Sequence, residues 1–144
     1  MATAPDPFNL ARFVSAQEQV YPAVLAELRS GEKRTHWMWY IFPQIAGLGR
    51  SPTAQFYAIQ HRAEAAAYLA HPILGPRLVE CSAALLGLQG RSAWEIFGSP
   101  DDLKLHSCMT LFAAVAGPNA IFTQVLAAYF QGQPDRNTLS RLAA

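Results

Sequence analysis

The chain is poor in cysteine and in long apolar runs, and each shortage excludes a class of protein. Its 144 residues include only two cysteines, Cys81 and Cys108, which lie in apolar helical patterns without a CxxC motif or a histidine at ligand spacing. We therefore expect two buried free thiols and no bound metal. No apolar run reaches the length of a membrane span, and the N-terminal residues lack the basic and apolar regions of a signal peptide. These absences predict a soluble, cytoplasmic protein without a membrane partner.

The chain also lacks an excess of either sign of charge. Eleven basic and ten acidic residues give a formal net charge of +1, and no block of like charge occurs. We therefore expect no binding of duplex nucleic acid, although a local anion pocket is compatible with this composition. The apolar content of 51% is typical of a well-filled core, and the length fits one domain spanning residues 1–144.

Proline and glycine separate periodic segments, and this pattern predicts a mainly α, compact helical array. The predicted helices cover 8–15, 21–30, a segment starting at 51–52, 62–70, 76–88, 92–97, 100–116, an apolar double stripe at 121–130 and a weak last helix at 135–144. Ser51 before Pro52, and Ser92 three residues before Glu95, are helix-start signals. The run 37–42 is short for a helix and fits a strand or an extended segment before Pro43.

Aromatic side chains concentrate between residues 33 and 52, where Trp37, Trp39 and Tyr40 stand between a basic pair and a glycine-rich turn. Their stacking faces and polar handles suit a flat, partly polar ligand. A buried hydrophobic segment with core tryptophans fits equally well. Two polar neighbours are ambiguous in the same way: His36 fits an acid or base, or a hydrogen-bonded core residue, and Gln44 fits a reader of a base edge, or a turn cap.

The turn that follows offers elements of an anion site. Gly47 and Gly49 allow close approach of the backbone, and Arg50 with the helix start at Ser51 attracts phosphate. Two glycines in a turn before a capped helix are nevertheless more often structural.

The helix predicted at 100–116 carries two charges at positions where apolar residues are expected. At 100° per residue, Asp101 falls on the apolar face, Lys104 at its edge, and a polar set on the opposite, solvent-type side: Asp102, His106 and Thr110. Asp101 and Lys104 are three residues apart, so they either pair with each other or form part of a site beside a cleft.

Four blocks resemble the signature blocks of one family: RFVSAQ at 12–17, HWMWYIFPQIAGLGRS at 36–51, YLAHPILGPRL at 68–78 and IFGSPDDLKLHSCMTLF at 96–112. The family is domain of unknown function 1810, which is similar in fold to the YbiA-like, or NADAR, superfamily. That resemblance implies a YbiA-like domain. Better-studied NADAR relatives cleave N-glycosidic bonds of ribosyl phosphates or remove ADP-ribose from modified bases. Their Glu-His motif followed by a lysine has no clear copy here, since His36-Trp37 follows Lys33 and Arg34 instead.

The leading hypothesis is an N-glycoside hydrolase acting on a phosphorylated or ADP-ribosylated nucleoside without a metal or organic cofactor. Asp101 would stabilise positive charge at the anomeric carbon or activate water, and Lys104 would bind the ligand or attack the opened sugar. The remaining expected site residues are His36 as an acid or base and, for the ligand, Trp37, Trp39, Tyr40, Gln44, Gly47, Gly49, Arg50 and Ser51. The alternatives are a non-catalytic nucleotide or ADP-ribose binding module and a protein-interaction domain. The enzyme hypothesis requires the blocks at 36–51 and 101–112 to meet in space.

Overall fold

Ten helices follow one another along residues 5–143, the part of the chain that the computed structural model describes. Their bounds are α1 Ala11–Gln17, α2 Tyr21–Ser30, α3 Met38–Ile41, α4 Pro52–Phe56, α5 Arg62–Ala70, α6 Leu74–Leu86, α7 Ala93–Phe97, α8 Asp101–Ala116, α9 Ile121–Phe130 and α10 Arg136–Ala143. These residues contain no strand, only an isolated parallel bridge between Ile45 and Ile59. The prediction of a mainly α, single compact domain is confirmed. None of these helices is long and apolar enough to cross a membrane.

Helix α8 lies at the centre of the array, where α5, α7, α9 and α10 all pack against it. Residues 107–112 are buried without interruption, so the helix has no broad solvent face. The prediction that Thr110 points to solvent was therefore wrong, whereas His106 is half-buried. Thr110 is fully buried under the start of α10, and the His106 ring stacks on Phe130 with 4.2 Å between centroids. A periodicity argument assumes one packed face, whereas a central helix is packed on several.

Local start signals in the sequence form as expected. The Ser51 hydroxyl accepts a hydrogen bond from the Ala54 amide and caps α4. Ser92 and Glu95 form a complete capping box at α7, in which each side chain bonds the other residue's backbone amide. These contacts involve only three or four consecutive residues, which is why the sequence alone reveals them.

The strand or extended segment expected over 37–42 is instead a single helical turn, α3. The Ile41 amide donates to the Trp37 carbonyl and the Phe42 amide to the Met38 carbonyl. Residues 37, 38, 41 and 42 are buried, a spacing that brings them to one side of a helix. Because the intervening residues are also aromatic, the helical period was hidden in the sequence.

A short backbone bridge fixes the loop that follows α3. The Ile59 amide donates to the Gln44 carbonyl and the Ala46 amide to the Ile59 carbonyl, both at 2.8 Å. Ile45 and Ile59 are buried between these bonds. The bridge therefore holds the segment 44–50 in place, and this segment forms one wall of the cavity described next.

Candidate functional site

Three charged side chains from two distant segments form a cluster where the segment before α3 meets the start of α8. Lys33 Nζ lies 2.9 Å from Asp101 Oδ2, and Lys104 Nζ lies 3.7 Å from Asp101 Oδ1. The Lys33 side chain is only 6% exposed, whereas those of Asp101 and Lys104 are 20% and 21% exposed. We call these three residues the charged cluster. Its carboxylate is flanked by two ammonium groups, and one of them reaches solvent.

Lys104 extends from this cluster over the indole of Trp39. Its Nζ lies 5.2 Å from the ring centroid, within the range of a cation–π interaction. Trp39 is partly buried, so the ring gives the ammonium a fixed neighbour. Asp101 and Trp39 together hold the Lys104 ammonium at the edge of a cavity.

That cavity, the central cavity, lies between the segment 44–49, the first half of α8 and the start of α10. Its volume is about 550 Å³. Its lining residues are Gln44, Leu48, Gly49, Pro100, Leu103, Lys104, His106, Ser107, Asp135 and Asn137. A much smaller space of about 10 Å³ adjoins it and shares Gln44, Gly49 and Lys104 with it, while Trp39 lines only this small space. The small space has room for no more than a water molecule, so a ligand would lie in the central cavity.

The third wall of the central cavity is built by hydrogen bonds between α8 and the start of α10. Asp135 Oδ2 accepts from the Thr138 amide and hydroxyl and from Ser107 Oγ, which makes Asp135 the N-terminal cap of α10. His106 Nε2 lies 2.7 Å from the Gln133 carbonyl. Since a carbonyl can only accept, this ring nitrogen carries the proton in that bond. The polar residues of α8 thus position α10.

Glu27 holds the backbone that leads into α3. It accepts hydrogen bonds from the amides of Arg34 and Thr35, from Thr35 Oγ1 at 2.6 Å and from Trp37 Nε1 at 3.0 Å. Partial burial raises the pKa of Glu27, but these bonds outweigh it and lower the pKa from 4.5 to about 2. The ionised carboxylate therefore fixes residues 34–37, and with them the start of the aromatic segment.

Three expected site residues lie away from the central cavity. Trp37 is 1% exposed in the core, with its indole nitrogen bonded to Glu27, so it has no free face for a ligand. Tyr40 packs against Tyr57 at 5.4 Å between ring centroids, and burial raises the pKa of its hydroxyl. His36 is exposed and lines none of the cavities described here. For Trp37 the structure therefore shows the core role, the other interpretation that the sequence allowed.

The glycine-rich turn divides between the central cavity and its surroundings. Gly49 lines the central cavity and also packs tightly, because a Cβ atom there would lie 2.5 Å from the Ala54 Cβ. Gly47 and Arg50 line a second, adjoining cavity. Ser51 is occupied as the cap of α4 and lines neither cavity.

The blocks at 36–51 and 101–112 do meet, as the enzyme hypothesis requires. Gln44, Gly49 and Lys104 share one cavity, and Asp101 lies beside Lys104. Sequence reasoning missed two contributions, Lys33 as the strong partner of Asp101 and α10 as a wall. Lys33 gave a weak signal as part of the basic pair before the aromatic run, whereas α10 looked like a peripheral helix with a poor apolar face.

Neither the cysteines nor the histidines form a metal site in residues 5–143. Cys81 and Cys108 are buried free thiols, which confirms the prediction made for them. No cluster of three or more His, Cys, Asp or Glu side chains in this range is arranged to hold a metal ion.

Comparisons with known proteins agree with this fold. The sequence profile of the family described as "Protein of unknown function (DUF1810)" matches residues 7–142. The chain is also similar to the conserved hypothetical protein Rv1873 from Mycobacterium tuberculosis, which was solved by crystallography at 1.38 Å. The two share 55% sequence identity and a TM-score of 0.94 over 96% of this chain and 99% of that one. No curated protein matches the chain significantly. On this profile match and this shared structure, the chain belongs to the DUF1810 family.

Proposed function

We propose that the protein binds a small phosphorylated ligand, of nucleotide or ADP-ribose type, in the central cavity. One observation carries this proposal: the Lys104 ammonium is held at the edge of the cavity by Trp39 and Asp101. A pre-positioned ammonium binds a phosphate group without losing much side-chain freedom, which favours affinity. The volume of about 550 Å³ falls within the range of roughly 300–1,000 Å³ found for small-molecule sites.

The rest of the lining supports a polar, anionic ligand. Gln44 lines the cavity, and its side-chain amide offers both donors and an acceptor for a base edge or a sugar hydroxyl. Asp135 is the acidic residue of the lining, and its Oδ2 is already engaged by Ser107 and Thr138. Lys104 is the lysine of the lining, so it is the group that would bind a phosphate.

Hydrolysis of an N-glycosidic bond is the second candidate function, and one contact favours it. Asp101 Oδ1 lies 3.7 Å from Lys104 Nζ, too far for a short hydrogen bond, so this oxygen keeps lone pairs that could face an anomeric carbon carrying positive charge. Lys33 and Lys104 offset part of the carboxylate's charge, which is why binding ranks first. This reaction was suggested by a relationship to the NADAR superfamily, which we also propose. The cytoplasmic location stays a prediction.

Isothermal titration calorimetry tests the binding proposal. AMP, ADP and ADP-ribose would be titrated into the native protein, Lys104→Gln and Arg136→Gln. Arg136 is a matched control, because it is exposed on α10 and lines neither cavity. A charge-assisted hydrogen bond contributes about 1.5–3 kcal/mol, so we expect Lys104→Gln to weaken binding by about tenfold to hundredfold and Arg136→Gln to leave it nearly unchanged.

Absence of binding by the native protein, or equal loss in both variants, would refute the proposed ligand class or its site. Mass spectrometry of ADP-ribosylated DNA and of ribosyl phosphates incubated with the protein separates binding from catalysis. Release of a base or of ADP-ribose that disappears in Asp101→Asn, with folding intact, would establish hydrolysis. Binding without release would leave a non-catalytic module.

A further inference from the structure

A second cavity, the outer cavity, opens beside the central one between the glycine-rich turn and α10. Its volume is about 470 Å³, and its lining residues are Gly47, Leu48, Arg50, Asn137, Ser140 and Arg141. Leu48 and Asn137 line both cavities, so the two spaces adjoin each other. A ligand seated in the central cavity could therefore extend past these two side chains.

Arg141 lines the outer cavity and packs against the backbone of the facing turn. A Cβ atom at Gly47 would lie only 2.5 Å from Arg141 Cζ, so the guanidinium packs closely against this glycine. Gly47 also has a φ of +97°, a conformation that disfavours any other residue. The Arg141 guanidinium thus occupies the space that a side chain at position 47 would take.

The charged groups lining the outer cavity are both arginines. Neither Arg50 nor Arg141 forms a salt bridge with another residue in the range 5–143. Asn137 and Ser140 add an amide and a hydroxyl on the same side as Arg141. Two guanidinium groups with neighbouring neutral donors match the oxygens of a phosphate, which arginine binds in a bidentate manner.

We propose that the outer cavity is a second phosphate subsite, in which Arg50 and Arg141 bind the terminal phosphate of a nucleoside diphosphate or of a diphosphate-linked derivative. This inference rests on the proposed function, because Lys104 would bind the nearer phosphate in the central cavity. It assigns a binding role to α10, a helix without a functional motif of its own. It also narrows the ligand class, since a monophosphate would leave the outer cavity empty.

Calorimetry with AMP and ADP on one set of variants tests the subsite. The native protein should bind ADP at least tenfold more tightly than AMP, because the second phosphate would gain charge-assisted hydrogen bonds from the two guanidinium groups. Arg141→Gln should remove most of that preference and leave AMP binding unchanged, whereas Lys104→Gln should weaken both ligands. Arg136→Gln, which removes the same charge from the same helix, should behave like the native protein.

Equal affinity of the native protein for AMP and ADP, or an unchanged preference in Arg141→Gln, would overturn the subsite while leaving the central cavity's function intact. If neither nucleotide binds, the proposed function fails, and inorganic pyrophosphate alone then decides the subsite. Pyrophosphate should shift the amide resonances of Gly47 and Leu48 in the native protein and not in Arg141→Gln. The absence of such shifts in the native protein would overturn the subsite as well.

Discussion

Glu27→Gln should destabilise the protein at neutral pH and have progressively less effect as the pH falls. Glutamine has nearly the same shape, and its one oxygen can keep the hydrogen bonds from the Arg34 amide, the Thr35 amide and Trp37 that now converge on Glu27 Oε1. The substitution therefore removes the negative charge, and the bond between Oε2 and the Thr35 hydroxyl must reverse its direction, as it also must when Glu27 is protonated at that oxygen. Protonated Glu27 closely resembles glutamine, so acidification should reproduce the substitution in the native protein.

The magnitude follows from the pKa of Glu27. Its fall from 4.5 to about 2 on folding corresponds to an upper limit of about 3.4 kcal/mol. Because the side chain is only partly buried, solvent screening reduces this value, and we expect a loss of about 1.5–2 kcal/mol at pH 7. In a chain of this length, such a loss lowers the melting temperature by roughly 5 °C.

The sign of the pH dependence follows from the lowered pKa. A carboxylate whose pKa is depressed by folding contributes fully above the unfolded value of 4.5 and loses its contribution as the pH falls towards about 2. Urea denaturation of the native protein and Glu27→Gln at pH 7, 5 and 3.5 measures the difference directly. The difference should be constant from pH 7 to about 5.5 and smaller at pH 3.5.

Glu32→Gln is the matched control, because Glu32 is exposed and its carboxylate lies 3.5 Å from an equally exposed Arg34. We expect it to change the free energy of unfolding by less than about 0.5 kcal/mol at every pH. Equal free energies of unfolding of the native protein and Glu27→Gln at pH 7 would refute the lowered pKa assigned to Glu27. A deficit that stays the same down to pH 3.5 would show that shape, and not charge, is responsible.

Two further predictions concern the core. The Arg12 and Glu64 side chains are 8% and 2% exposed and lie 2.7 Å apart, so Arg12→Met should cost about 3–5 kcal/mol by leaving Glu64 as an uncompensated buried charge. Arg62→Met, at an exposed position, should cost less than about 1 kcal/mol in the same denaturation assay, and a loss as small as this in Arg12→Met would show that the buried pair is dispensable. Burial raises the pKa of the Cys81 thiol to about 12 and that of Cys108 well above its ordinary value. Native protein at pH 8 should therefore react with a disulfide reagent only as fast as it unfolds, whereas both thiols of the denatured protein should react at once. Rapid labelling of the folded protein would contradict this.

Sequence alone predicted those features of this protein that depend on residues close together in the chain. The capping box at Ser92 and Glu95, the cap at Ser51, the mainly α class and the buried thiols of Cys81 and Cys108 all follow from spacing and apolar period. Hydrogen bonds across three or four residues and one-sided apolar stripes need no knowledge of the rest of the fold. The helix α3 escaped prediction because an uninterrupted apolar run carries no readable period.

Only the tertiary structure decided which of the aromatic and charged residues share a site. Trp37 and Trp39 are only two positions apart, yet Trp37 is buried against Glu27, whereas Trp39 contacts Lys104 beside the central cavity. The pairing of Lys33 with Asp101 joins segments far apart in the chain, as does the packing of Arg141 on Gly47. Such contacts depend on how helices pack on several sides of α8, and local residue patterns do not contain that information because the packing partners are set by the whole core.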